Sequence, residues 1–164
     1  MTDLQAIADS VEIEALRGEF TDAVMANDHD RLASLFTHDR AVRIPAGNIE
    51  ATGREEIRAM SQRRQALADY FVQTTHPGAI RIDGDTATGR AYLSELLHGR
   101  AGSSHLNYFV YHDRYRRTSD GWKFTEGIAE IRYLDTSPLA GSAPRPAEAP
   151  SDPSAGNKAA ADGR

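Results

Sequence analysis

The 164-residue sequence contains no cysteine. That excludes disulfides, thiolate metal sites and cysteine nucleophiles together, and it suits a reducing compartment. A basic surplus is missing too: 19 Lys and Arg against 24 Asp and Glu leave a net charge of −5, so no nucleic-acid partner is expected. The local basic clusters, Arg63-Arg64 and Arg114 with Arg116-Arg117, sit among acids and read as solvated faces. No apolar run approaches the ~18 residues that would mark a membrane span. The start, MTDLQAIADSVEIEAL, lacks a basic segment followed by an apolar one, so no signal peptide is read and the chain reads as cytoplasmic.

Familiar chemical signatures are also absent. The histidines at 29, 38, 76, 98, 105 and 112 form no HExxH and no i, i+4 pair, so no metal site is expected. There is no GxGxxG, no P-loop and no serine in a GxSxG elbow. Nucleotide cofactors and acyl-enzyme chemistry are therefore not indicated.

What is present suits one domain with a core of its own, since 40% of residues are hydrophobic. Leu4, Ile7, Ala8, Val11, Leu16, Phe20, Ala23 and Val24 recur at helical steps, with Asp9-Ser10 interrupting them. The pattern predicts a short helix followed by a longer one over 11–26. A turn at 27–30 leads to a short helix over 31–36, a strand over 41–44, a turn at 45–48 and an amphipathic helix over 54–68. Strands then follow at 71–75, 79–82, 86–97, 106–117 and 122–134, the second and third joined by the hairpin signal Asp83-Gly84-Asp85. Helices first and an antiparallel meander after them predict an α+β fold. Five of the seven prolines fall in 138–153 amid Ala, Ser and Gly. This composition predicts a folded domain over 1–141 and a disordered tail over 142–164.

Four segments carry a family likeness: Asn27-Asp-His-Asp-Arg-Leu-Ala-Ser-Leu-Phe36, Gly53-Arg-Glu-Glu-Ile57, Ile82-Asp-Gly-Asp-Thr-Ala87 and Tyr115-Arg-Arg-Thr-Ser-Asp-Gly-Trp-Lys-Phe124. In this order the chain resembles the SnoaL-like proteins of the nuclear transport factor 2-like superfamily over residues 11 to 141. Within it the chain is nearest to the scytalone dehydratases and hexachlorocyclohexane dehydrochlorinases. The resemblance implies a cone: a curved, mostly antiparallel sheet and N-terminal helices around one apolar pocket. It also implies cofactor-independent dehydratase, isomerase or cyclase chemistry at a pocket histidine, often paired with an aspartate, although some proteins of this shape are not catalysts.

The resemblance places His76 at the position of the catalytic histidine, where an imidazole would serve as general acid and base. The helix position that holds the partnering acid falls on Met25, which cannot stabilise an imidazolium. Asp22, one turn earlier, is the substitute partner to consider. On the strand Arg90 to His98 two phases remain open. One turns Leu93 and Glu95 inward, where desolvation would raise the Glu95 pKa. The other turns Arg90, Tyr92, Ser94 and His98 inward, making His98 a second pocket histidine. By the family match His105, Asn107, Phe109, Tyr111 and Asp113 face the cavity, with Asn107 and Tyr111 binding a substrate oxygen and Phe109 forming an apolar wall. Val42 and Ile44 would stand at the cavity edge, and Glu126 or Glu130 would reach its mouth.

Two functions therefore stand side by side. One is proton-transfer catalysis by His76, aided by Glu95 or Asp22, on an apolar and cyclic small molecule. The other is a non-catalytic ligand-binding or interaction domain, which Met25 favours. An outer face carrying Tyr92, Leu96, Tyr108 and Val110 predicts a homodimer or homotrimer.

Overall fold

The computed structural model describes residues 4–143. The chain begins with helix α1 (Leu4–Met25) and α2 (His29–Ser34), followed by strand β1 (Phe36–Ile44), a 3-10 turn (Pro45–Gly47) and β2 (Ile49–Thr52). Helix α3 (Gly53–Leu67) leads into β3 (Ala68–Asp83), β4 (Thr86–Gly99), β5 (Ser104–Thr118) and β6 (Gly121–Asp135). The six strands form one sheet in the order β2-β1-β6-β5-β4-β3. Every pairing is antiparallel except β1 with β6, which run parallel. This is an α+β architecture: a curved mixed sheet with the helices against its inner face. The expected tail lies, beyond residue 143, outside the described residues.

Several elements depart from the sequence reading; α2 ends at Ser34 and β1 already begins at Phe36, inside the span 31–36 expected to be helical. The N-terminal helix runs unbroken through Asp9-Ser10, because both side chains find uses that leave the helix intact. Ser10 Oγ donates back to the Ala6 carbonyl at 2.8 Å. The buried Asp9 carboxylate accepts from Arg117 Nη2 at 2.6 Å and from Trp122 Nε1 at 3.2 Å. The Arg117 bond holds its pKa down at about 2. Next, the segments expected at 71–75 and 79–82 are a single strand with a register irregularity between Pro77 and Ile80. Finally, the sequence reading assigns no element to 49–52, yet Ile49 to Thr52 pair with Ile44 to Ala41 across the 3-10 turn as strand β2. Asn48 takes a left-handed φ of 49° to make that reversal, a conformation Asn tolerates.

The main core gathers Ile13, Leu16, Val24, Leu32, Phe36, Ile57, Tyr115, Trp122 and Phe124 between the helices and the sheet. Fully burying a side chain such as Phe36 or Ile57, each 1% exposed, contributes about 1.5–3 kcal/mol. Helix α2 is capped by Asp28, whose carboxylate accepts from the Arg31 N–H. It packs on α3 and so closes the helical side of the site described next.

Candidate functional site in the cone

A cavity of about 310 Å³ lies between α1, α2, α3 and the inner face of the sheet. Its walls are mostly apolar, among them Phe20, Leu32, Ile57, Met60, Phe71 and Phe109. Strand alternation and register order the sheet side into rows. Phe71, Leu97 and His105 make one row, and Gln73, Glu95 and Asn107 the next. Thr75, Leu93, Phe109 and Ile131 form a third row, followed by one that contains Ala91, Tyr111 and Ala129. The polar row therefore sits inside an apolar surface, and α3 lays Ser61 and Arg64 into the same cavity.

Glu95 is the chemical centre of that row. Surrounded by protein and facing the cavity, its carboxyl is pushed up to about 7 by desolvation, against the opposing influences of Arg64 and of a hydrogen bond with Asn107. Gln73 and Asn107, its neighbours on either strand, each keep a buried side-chain oxygen, Oε1 and Oδ1, without a hydrogen-bond donor. Arg64 lies over the Phe71 ring at 4.6 Å and donates through Nη2 to the Val24 carbonyl and to Ser61 Oγ, both at 3.2 Å. His105, at the cavity wall, has its pKa lowered by burial and so favours the neutral form.

Toward the narrow end Arg40 is 2% exposed, with its guanidinium over Phe36 at 4.2 Å and Phe124 at 5.1 Å. Its Nε and Nη1 find no acceptor among the described residues. Burial raises Asp113 to about 6, opposed chiefly by the nearby Arg40. Tyr115 Oη donates to Asp113 at 3.1 Å and accepts from Arg17 Nε at 2.9 Å. Burial also raises the Tyr111 pKa, so its hydroxyl keeps its proton and can donate into the cavity.

Of the two phases open for β4, the structure has the first: Glu95 faces the cavity and Leu93 is buried at its narrow end. Val42, Ile44, Asn107, Phe109 and Tyr111 all line the same space. The other candidates lie elsewhere. His76 is exposed on the outer face of the sheet, beside Tyr92, Tyr108 and Arg132. Strand parity is the reason: Gln73 and Thr75 point inward, the latter sharing a 2.7 Å hydrogen bond with Thr21 of α1, so residue 76 must point out. His98 has the outward parity as well, stacking on Tyr70 at 5.2 Å with Asp69 at 3.8 Å. Asp22 is exposed on α1 and pairs with Arg31 of α2, away from the cavity. Met25, 39% exposed, does not line it either; its Sδ accepts from the Gln73 N–H at 3.1 Å. Glu130 pairs with His112 on the outer face, and Glu126 with Arg43 and Arg114.

Arg64 corrects the reading of Arg63-Arg64 as a solvated face. Ile57, Met60, Ser61 and Arg64 fall at helical positions 0, 3, 4 and 7, so the apolar stripe itself pointed Ser61 and Arg64 inward. Gln73 and Arg40 carried no comparable signal, because neither neighbouring sequence nor composition reveals a buried polar partner. No group of three or more His, Asp or Glu among the described residues is arranged to hold a metal ion. No helix among them is long and apolar enough to cross a membrane.

Known structures share this architecture. A candidate aromatic ring hydroxylase of Novosphingobium aromaticivorans superimposes with a TM-score of 0.74 at 25% identity, covering 80% of this chain and 94% of its own. A hexachlorocyclohexane dehydrochlorinase of Novosphingobium barchaimii LL02 gives 0.75 at 22% identity, covering 89% of this chain and 100% of its own. A candidate scytalone dehydratase of Novosphingobium aromaticivorans gives 0.73 at 17%, covering 85% and 95%. No curated protein matches the sequence. The profile of the SnoaL-like domain matches residues 5–127, a span that holds both helical walls of the cavity and the polar row. The chain belongs to the SnoaL-like domain family.

Proposed function

We propose that this protein is a cofactor-independent enzyme that moves a proton on a mostly apolar small molecule, with Glu95 as general acid and base. The observation that carries this is a single cavity-facing carboxyl raised to about 7. At that pKa both protonation states are populated near neutrality, which suits a group that must take and return a proton. Arg64 and the hydrogen bond with Asn107 steady the ionised form, while burial favours the neutral one. Tyr111 and Arg40 supply donors for a substrate oxygen as charge develops on it. The apolar walls favour a cyclic hydrocarbon framework bearing such an oxygen. Dehydration, double-bond migration and ring closure all use this set. The histidine-centred version of this mechanism loses its base, since His76 faces outward.

The test is turnover of small cyclic hydroxy and carbonyl compounds, followed by the pH–rate profile of a compound that reacts. With Glu95 as base, kcat/KM rises as pH passes about 7. Glu95→Gln lowers kcat by ~10²–10⁴-fold, the usual contribution of such a group, and leaves binding largely intact. An unchanged rate in that variant would end the proposal. The second reading, a ligand-binding domain without chemistry, draws on Met25 standing where the likeness to dehydratases puts an acid. It predicts tight binding of the same compounds with no turnover and no limb near 7. We also propose self-association through the outer sheet face, where Tyr92, Tyr108 and Tyr133 are 42%, 49% and 51% exposed.

A further inference from the structure

The wall of the cavity formed by α2 and α3 holds a second chemical group. Ser61 is 2% exposed and forms part of the cavity surface. A serine inside a helix usually bonds back to the carbonyl four residues earlier. Ser61 instead meets His29 Nδ1, the two atoms 3.0 Å apart. The opposite ring nitrogen, Nε2, lies 2.8 Å from Gln65 Oε1. With Gln65 Oε1, an acceptor only, facing the ring, the matching tautomer carries its proton on Nε2 and leaves Nδ1 as a base toward the Ser61 hydroxyl. Arg64 Nη2 donates to Ser61 Oγ at 3.2 Å, which stabilises negative charge on that oxygen. Nucleophile, base and a third group orienting the base are thus in hydrogen-bond sequence, the arrangement that activates a serine. No GxSxG elbow is involved: the three residues come from two adjoining helices, with Ser61 and Gln65 one turn apart on α3.

We infer that Ser61 is an acyl-accepting nucleophile and that the cavity hydrolyses esters of small apolar acids. Ser61 Oγ attacks the ester carbonyl carbon while its proton passes to His29 Nδ1. The bond from the carbonyl carbon to the alkoxy oxygen breaks, and Nδ1 returns the proton to that oxygen, releasing an alcohol. Water then attacks the acyl-serine and gives a proton to Nδ1, which hands it to Ser61 Oγ as the free acid departs. Arg64, whose Nη2 already reaches Ser61 Oγ at 3.2 Å, is the cation available to the developing oxyanion, and Leu32, Ile57 and Met60 supply an apolar wall for the acyl chain. None of these steps requires Glu95 to act as a base.

The probes are 4-nitrophenyl butyrate and an alkyl fluorophosphonate, used on the full chain with peptide mass spectrometry. The expected result is a burst of nitrophenol and a phosphonyl adduct on the peptide containing Ser61. Ser61→Ala, favourable in a helix, removes the adduct and lowers hydrolysis by at least about 10²-fold. His29→Gln keeps hydrogen-bonding capacity toward its neighbours but cannot accept the proton, so it too abolishes labelling; if the contact were only a brace between helices, labelling would survive. Gln65 is a positioning residue: Gln65→Ala slows labelling, and Gln65→Glu, which restores an acceptor at Nε2, recovers it. An unlabelled wild-type protein, an adduct elsewhere, or hydrolysis undiminished in Ser61→Ala overturns the inference. Because labelling reads Ser61 and His29 directly, its failure leaves the Glu95 proposal standing, and the reverse holds as well.

Discussion

At the scale of single residues, burial decides which side chains have consequences. Glu95 has a folded pKa of about 7 against an ordinary 4.5. The folded state therefore binds more protons than the unfolded one between those values, and stability falls as pH rises through that window. Across the full window the loss is roughly 3 kcal/mol. Glu95→Gln, which stays neutral, should be more stable than the wild type at pH 8–9 and lose that advantage near pH 4–5, as urea unfolding at each pH would show. Asp113, raised to about 6, has the same sign, so part of the wild-type slope persists in the variant. A variant with an unchanged slope would mean that Glu95 is more hydrated than its surroundings indicate. Strand alternation left two faces open for Glu95, and the alignment of the Asp83-Gly84-Asp85 turn with the family pattern pointed to the inward one. His76 was misplaced by the likeness itself: Thr75 and Gln73 hold the inward positions, and motif similarity does not register a parity difference of one residue.

At the scale of elements, periodicity located the helices and strands, while long-range polar contacts set their true extent. The sequence places a break at Asp9-Ser10, since short polar residues compete with the helix backbone. What overrides that tendency is Arg117 and Trp122, more than a hundred positions away. Asp9→Ala should lower the unfolding temperature and raise amide exchange in residues 4–12 beyond the rest of α1. Uniform exchange along the helix would refute the anchoring role. The strand β6 offers a second check at Gly127, where an added Cβ would collide with Arg40 Nη2 and stand 3.0 Å from Asp113 Oδ1. Gly127→Ala should cost about 1–3 kcal/mol, as overpacking does, because Arg40 is wedged between Phe36 and Phe124. A neutral outcome in thermal unfolding would show that the arginine has room to move.

At the scale of the whole molecule, the α+β class and the run of helices before an antiparallel meander were legible, and the family likeness implied the pocket; β2 and the continuity of β3 were not legible. The parallel junction between β1 and β6 was not, since a pairing between residues 41–43 and 126–128 leaves no local trace. The proposed association through the outer face has its own test. Tyr92→Lys with Tyr108→Lys should convert an oligomer to a monomer in light scattering and leave the melting behaviour of the dilute protein little changed. A wild-type monomer would refute it. Val110, expected to share that exposed face, is only 3% exposed, because larger neighbours such as Tyr92, Tyr108 and Arg132 surround it.

The sheet order also constrains how the protein comes into being. Its last strand occupies an interior place, between the pair β2-β1 and the meander β5-β4-β3. Until residues 121–135 leave the ribosome, the first hairpin can pack only on the helices, chiefly α3, and has no neighbouring strand on its β1 edge. The two parts of the sheet are joined only once β6 is in place. A nascent chain stalled before Gly121 would be the form most exposed to proteases and chaperones.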